Sequence, residues 1–272
     1  ATLLIGDSHR PGLYQCNACR EPFTVTVGTL YERSHVPLHK WLAATHLLMS
    51  SKKGMSALQV GRLLSLNRRT AWFLCHRIRE SLRDMMPEGQ LGGANKVVEA
   101  DETYIGGKAK NRKGHVPPKE AAFALVERDG KVRSFHVQAV SAKTLRPILA
   151  AQVDRKSYVM TDEATVYPGI SKDFSGHGTV NHSIEEYVRG GFWHTNTVEN
   201  YFSILKRGII GTYHHVSQQH LKRYLAEFDF RYNERMALGV SDAERMTKSV
   251  QGIVGKRLTY RRTRGGEASA EA

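Results

Sequence analysis

The feature that most constrains this fold is a change of apolar rhythm at residues 87–94. Upstream, between 38 and 86, apolar side chains recur at helical spacing. Leu42, Leu47, Leu48 and Met49 form one stripe, Leu58, Leu63 and Leu64 a second, and Trp72, Phe73, Cys75, Ile78 and Leu82 a third. The segment PEGQLGGA then breaks the pattern with proline and glycine and predicts a linker over 87–95. Beyond it the runs are short and of β type: 96–105, 121–127, 132–140 and 158–161, with Asp129-Gly130 as a hairpin turn between the second and third. A helix is expected over 142–152, and two amphipathic helices over 197–207 and 221–235. Three antiparallel strands, a helix, a further strand and closing helices predict a mixed-sheet α/β domain over 96–240. A small helical domain over 38–86 precedes it, and a basic C-terminal tail over 241–272 follows.

Charge narrows the choice of partner. The 272 residues carry 40 Lys and Arg against 26 Asp and Glu, a formal net charge of +14. Such an excess selects a polyanion, and nucleic acid is the usual one. Hydrophobic residues at 40% and charged residues at 24% suffice for a core and exclude wholesale disorder. No apolar run reaches the ~18 residues of a membrane span. Residues 3–5 are too short a stretch for a secretory signal, so the expected location is cytoplasmic and nucleoid-associated. Three cysteines cannot build a disulfide scaffold. Cys16 and Cys19 form a C-x2-C pair, half of a zinc knuckle set, in a partial ribbon over 1–37. The chain opens without Met and with half a motif, which predicts that ribbon residues precede it. A short strand is expected through Phe23, Val25 and Val27.

In the helical part, Ser56 is a good N-cap for a helix over 57–64, Leu66-Asn67 supplies a turn, and a second helix opens at Arg68. Residues 51–83 hold eight Lys or Arg and one acid, Glu80. A helix opening with Asn67, Arg68 and Arg69 offers donors to base edges or phosphates in the manner of a helix-turn-helix. The same pattern suits an ordinary helical pair with a solvated basic face. Cys75 lies on the apolar side of the second helix and reads as core.

Three acids carry the chemical argument. The run KVVEADETYIGG leads an apolar strand into Asp101, and SYVMTDEATVYPGI does the same for Asp162. Glu199 lies in HTNTVENYFSILKRG, where Thr197, Val198, Tyr201, Phe202 and Leu205 give helical period. Lys206, seven residues on, falls on the same helical face as Glu199. Three convergent carboxylates beside a polyanion would hold hard divalent cations, Mg²⁺ or Mn²⁺, which activate water or a 3′-hydroxyl. Glu102 and Glu163 follow the aspartates and, by strand alternation, face away from that set. On residues alone, such a triple is easily met by chance among 26 acids. Two basic tracts, 108–119 with Lys113 and 256–264 with Arg261 and Arg262, either track a DNA backbone or stand solvated. Trp193 packs in the core or stacks on a base, and His194, His214 and His215 contact phosphate or pack.

Taken together, these stretches resemble the bacterial insertion-sequence transposases of the D-D-E type, the ISXO-like group with an N-terminal zinc ribbon and helix-turn-helix. The resemblance runs in order through VGTLYERSHVPLHKWL, SKKGMSALQVGRLL, RRTAWFLCHRIRESL, VVEADETYIGGK and YVMTDEATVYPGI. It is most specific in GGFWHTNTVENYFSILKRGIIGTYHHVSQQHLKRYLAEFDFRYNER. It implies an RNase H-like catalytic core and metal-dependent cutting and joining of double-stranded DNA at terminal inverted repeats and a target. It also implies a homodimer without membrane association. Carried over by motif, Asp101, Asp162 and Glu199 match the metal-binding acids and Lys206 the basic residue that follows, with Arg207 beside it. Some members bear Asn at the third acidic position, for which Asn196 and Asn200 are neighbours. The family's ribbon has two cysteine knuckles and only Cys16 with Cys19 stands here, so Zn²⁺ binding needs ligands from elsewhere. The rival readings are a nuclease that cuts without joining and an inactive DNA-binding relic.

Overall fold

The computed structural model describes residues 1–106, 119–162, 167, 169–180 and 192–259. The chain opens with three two-residue strands, β1 (Thr2–Leu3), β2 (Tyr14–Gln15) and β3 (Pro22–Phe23), paired antiparallel. The strand expected through Val25 and Val27 stops at Phe23. Residues 25–28 turn instead, because Val27 N–H bonds Thr24 O, Thr29 N–H bonds Thr26 O, and the Thr24 and Thr26 hydroxyls bond each other. Both valines are left exposed.

Three helices follow: α1 (Leu38–Ser50), α2 (Ala57–Leu63) and α3 (Arg68–Ser81). Their starts are set by side chains. Ser56 Oγ accepts from Gln59 N–H at 3.2 Å, and Asn67 Oδ1 accepts from Thr70 N–H at 2.8 Å, satisfying donors that a helix start leaves open. Where α2 meets α3 the fit at Gly61 is tight for any side chain. A Cβ there would lie 3.0 Å from Leu66 O and 3.2 Å from Ala71 Cβ. The first and third apolar stripes contribute to a core of Leu30, Trp41, Leu48, Met49, Leu74, Cys75 and Ile78. Of the second only Leu64 packs there, Leu58 and Leu63 being exposed, as is Trp72 of the third.

The second part is built on a five-stranded mixed sheet. Strands β4 (Val97–Ile105), β5 (Glu120–Glu127) and β6 (Val132–Val137) run antiparallel, with Asp129 at φ 56° in the hairpin. Helix α4 (Ala142–Gln152) carries the chain to β7 (Tyr158–Asp162), which pairs parallel with β4, and β8 (Gly176–Val180) adds outside β7. The order is β6-β5-β4-β7-β8. Helices α5 (Asn196–Gly208) and α6 (Gln218–Asn233) cover the face opposite α4. Strand β5 shows why its sequence is apolar throughout. Ala121, Phe123 and Leu125 pack in the α4 layer, and Ala122, Ala124 and Val126 pack with α5 and α6. Sequence patterning did not reveal β8, since GHGTV has no apolar alternation.

Helix α6 belongs to both parts. Leu221, Leu225 and Phe228 pack against the sheet, while Ala226 and Phe230 enter the core of the N-terminal helices. Its polar residues are also buried. Asp229 Oδ2 accepts from Ser134 N–H at 2.8 Å, and Asn233 pairs with both N–H and C=O of Val132, covering the free edge of β6. Glu227 is clasped by Arg79 from α3 at 2.5 Å and by Arg231. The tail expected over 241–272 begins instead with a helix, α7 (Asp242–Gln251), started by a capping box of Ser241 and Glu244 and packed on α1.

Candidate active site

The alternation of β4 builds the site. Val98 and Ala100 point into the α4 layer, whereas Ile105 packs in the α5 layer and Glu99 bonds α5 itself, which puts Asp101 on the α5 side. Pairing between β4 and β7 runs only from Val97↔Tyr158 to Glu99↔Met160. Past that point the strands part: Asp101 stands two residues further along β4, midway down that strand, and Asp162 is the last residue of β7. One carboxylate oxygen each from Asp101, Glu102 and Asp162 lies within 4.8 Å of the others.

Glu102 corrects the alternation argument, which faced it away from the aspartates. One contact holds its carboxylate beside theirs, Tyr167 Oη–H donating to Glu102 Oε2 at 2.7 Å. The backbone N–H of Glu102 donates to Asp101 Oδ1 at 2.7 Å and orients that carboxylate instead. Among the described residues β7 does not pair with this part of β4, and the longer glutamate side chain reaches the same edge. Alternation describes directions at Cβ and does not fix the end of a flexible chain.

The electrostatics are those of crowded acids. Burial raises the Asp101 carboxyl to about 7; the Glu102 N–H works against this, and the charges of Asp162, Glu102 and Glu199 add to it. Burial likewise raises Glu102, partly offset by the Tyr167 hydroxyl. Tyr167 is itself pushed far up by burial and by Glu102.

Glu199 sits exposed in the first turn of α5, where Thr195 Oγ1 donates to its Oε1 at 3.1 Å. It is near enough to Asp101 for its charge to bear on that group, but it lies outside the three-oxygen cluster. Lys206 and Arg207 are exposed in the last turn of α5, with the Arg207 Nε donating to Ser203 O at 3.1 Å. Asn67, Arg68 and Arg69 are exposed at the start of α3, Asn67 acting as its N-cap. Lys113, Arg261 and Arg262 lie outside the described residues. Trp193 packs flat on β8, so that a Cβ on Gly178 would fall 1.8 Å from its ring. Cys75 is core, as its position on the apolar side of α3 requires, and burial pushes its thiol up to about 11. Cys16 is a free thiol held down by backbone N–H groups of Cys19 and Ala18. Among the described residues no third ligand atom completes a set with Cys16 and Cys19.

These features define an α/β protein with a crowded acidic cluster where two neighbouring strands of a mixed sheet part. The chain belongs to the ISXO2-like transposase family: residues 90–233 match the ISXO2-like transposase domain. A relative in Halobacterium salinarum strain NRC-1, an uncharacterized protein in transposable element ISH50, is 26% identical over 238 residues, covering 80% of this chain and 77% of its own length. A chain in the cryo-EM structure of the simian T-cell lymphotropic virus intasome in complex with PP2A regulatory subunit B56 gamma aligns with TM-score 0.32 and 16% identity. That alignment covers 62% of this chain and 63% of the other, less than two thirds of its length, and is too slight to define a fold. Among the described residues no helix is long and apolar enough to cross a membrane.

Proposed function

We propose that this chain cuts and joins DNA strands as the transposase of an insertion element, with an RNase H-like core acting on double-stranded DNA at terminal inverted repeats and at a target. The observation that carries this reading is the meeting of Asp101, midway along β4, with Asp162 at the end of neighbouring β7, Glu102 beside them. The donor set is anionic, oxygen-only and half-buried, which fits a hard divalent ion, Mg²⁺ or Mn²⁺, better than a soft one. Such an ion, when bound, supplies Lewis-acid activation of a water or 3′-hydroxyl and neutralises charge on the phosphoryl group.

The chain's own residues divide the remaining work. Asp101 and Asp162 hold the ion, and Glu199 completes the set from the facing helix. The like-charge repulsion around Asp101 favours any arrangement in which a cation stands among these acids. Lys206, on the same side of α5 as Glu199, contacts the DNA backbone, with Arg207 next to it. Arg68 and Arg69, exposed at the start of α3, support recognition of the repeats by α2 and α3 acting as a helix-turn-helix. Asn67 gives its Oδ1 to the cap and keeps its amide nitrogen for DNA. Lys113, Arg261 and Arg262 extend the backbone contacts. Two copies, one on each end, form the working assembly. No covalent protein–DNA intermediate is required.

The test is incubation of the purified protein with Mg²⁺ and a duplex bearing the element's end. Nicking followed by joining supports the proposal. Nicking alone reduces it to a nuclease, and a salt-sensitive shift without cleavage reduces it to a DNA-binding relic. Asp101→Asn should abolish chemistry while leaving the shift; activity in that variant would overturn the site.

A further inference from the structure

Glu99 stands in the middle of an apolar strand, two residues before Asp101, and is 0% exposed. A carboxylate so placed is strongly unfavourable unless its oxygens are fully engaged. Here they are. Oε2 accepts from the N–H groups of Thr197 at 2.7 Å and Val198 at 3.0 Å. Oε1 accepts from Thr197 Oγ1–H at 2.9 Å and Arg128 Nε at 2.6 Å, with His194 Nδ1 at 3.3 Å.

Those two N–H groups are the ones an N-cap side chain normally satisfies. The residue in the N-cap position of α5, Thr195, makes no such bond. Glu99 therefore caps α5 from a different element, and its negative charge meets the positive end of that helix. The exchange has a consequence at the acids. With the cap supplied from β4, the Thr195 hydroxyl donates to Glu199 Oε1 instead. Arg128 completes the clamp. While its Nε holds Glu99, its two terminal nitrogens donate to Phe192 O and His194 O, each at 2.8 Å, fixing the segment that leads into α5.

We infer that Glu99 is a positioning residue which, together with Arg128, fixes the start of α5 and hence Glu199 against the strand that bears Asp101. The inference rests on the reading of Asp101 and Glu199 as cation-holding acids. Glu99 itself takes no part in holding the ion, since both of its oxygens serve the helix and the guanidinium. A single strand thus supplies one acid of the site directly and sets the place of another two residues earlier.

The test is Glu99→Gln, which preserves volume but turns one acceptor oxygen into a donor that must face an N–H of α5 or of Arg128. Mn²⁺ affinity is read by electron paramagnetic resonance of the free ion, DNA affinity by a mobility shift, and strand nicking in single turnover, all at one pH. Folding is checked by circular dichroism. A folded variant should bind DNA like the wild type yet lose about 10–100-fold in Mn²⁺ affinity and in nicking rate, the scale of removing a ligand's supporting partner. Thr197→Val, which removes only the hydroxyl donated to Oε1, should show a smaller loss of the same kind, and it decides the matter if the Gln variant does not fold. A folded variant with wild-type Mn²⁺ affinity, or a loss confined to DNA binding, overturns the inference. Asp101→Asn separates the two levels. If it binds Mn²⁺ as the wild type does, the metal reading fails and the inference falls with it. If it loses Mn²⁺ while Glu99→Gln retains it, the inference alone fails.

Discussion

Glu227 and Asp101 are both acids taken largely out of water, yet their surroundings drive them to opposite ends of the carboxylate range. At Glu227, burial pushes the proton affinity up, but Arg231, Arg79 and the Tyr213 hydroxyl more than reverse it, taking the group down to about 2. At Asp101 burial acts in the same direction, and the charges that bear on it, those of Asp162, Glu102 and Glu199, share its sign, leaving it at about 7. The first acid is neutralised from within the fold and joins α3 to α6. The second is held among like charges, relieved only in part by the N–H of Glu102. Burial alone does not separate a structural acid from a functional one; the sign of its neighbours does.

The largest expected effect lies on the structural side. Glu227→Gln leaves two buried guanidinium groups uncompensated and should cost about 3 kcal/mol or more in denaturant unfolding. A loss under about 1 kcal/mol would show that the clasp does not dock the two parts. Next, Mg²⁺ or Mn²⁺ at a hundredfold excess over its Kd should stabilise the wild type by about 2.7 kcal/mol and Asp101→Asn by far less. Equal stabilisation of both would place the ion elsewhere.

The third prediction concerns pH in the metal-free protein. A carboxyl whose folded pKa is raised takes up a proton more readily folded than unfolded, so stability declines as pH rises from its ordinary value of 3.8 to about 7. Asp101→Asn should therefore be more stable than wild type at pH 8, by about 2 kcal/mol after allowance for partial solvation, with the gap closing near pH 4. A gap independent of pH would remove the crowding argument. The smallest effect falls on an intermediate case. Burial raises Asp229 to about 6, against hydrogen bonds from the Tyr201 hydroxyl and from Ser134. Tyr201→Phe should cost about 1 kcal/mol and raise Asp229 further, which titration of that carboxyl by NMR would register.

Much of this arrangement was legible before any coordinates. Apolar runs leading into Asp101 and Asp162 mark two strands that prove to be neighbours, and the period of α5 marks its buried side. The cap Ser56 marks one helix start and the turn at Leu66-Asn67 the next, although the capping role of Asn67 itself emerges only in the structure. Other residues escaped for physical reasons. Glu99 breaks an apolar run, and nothing local says that its partners lie 98 residues away on Thr197. Glu102 was set aside by a rule of directions that cannot follow where a strand loses its neighbour. Helix α7 carries four charged residues in ten, and its pairing with α1 is decided by tertiary contact. Val25 and Val27 alternate correctly for a strand, but the neighbouring Thr24 and Thr26 close a turn.

The sharing of α6 has a consequence for how this polypeptide can be divided. Its 16 residues supply walls to two cores at once, and its acids and amides are joined to both neighbours. Ending the chain after residue 217 would strip the N-terminal helices of Ala226 and Phe230 and leave Arg79 without its counter-charge. The two halves should therefore melt in one transition and resist being shuffled apart. Any recombination that borrows the front of this protein must carry its back half along.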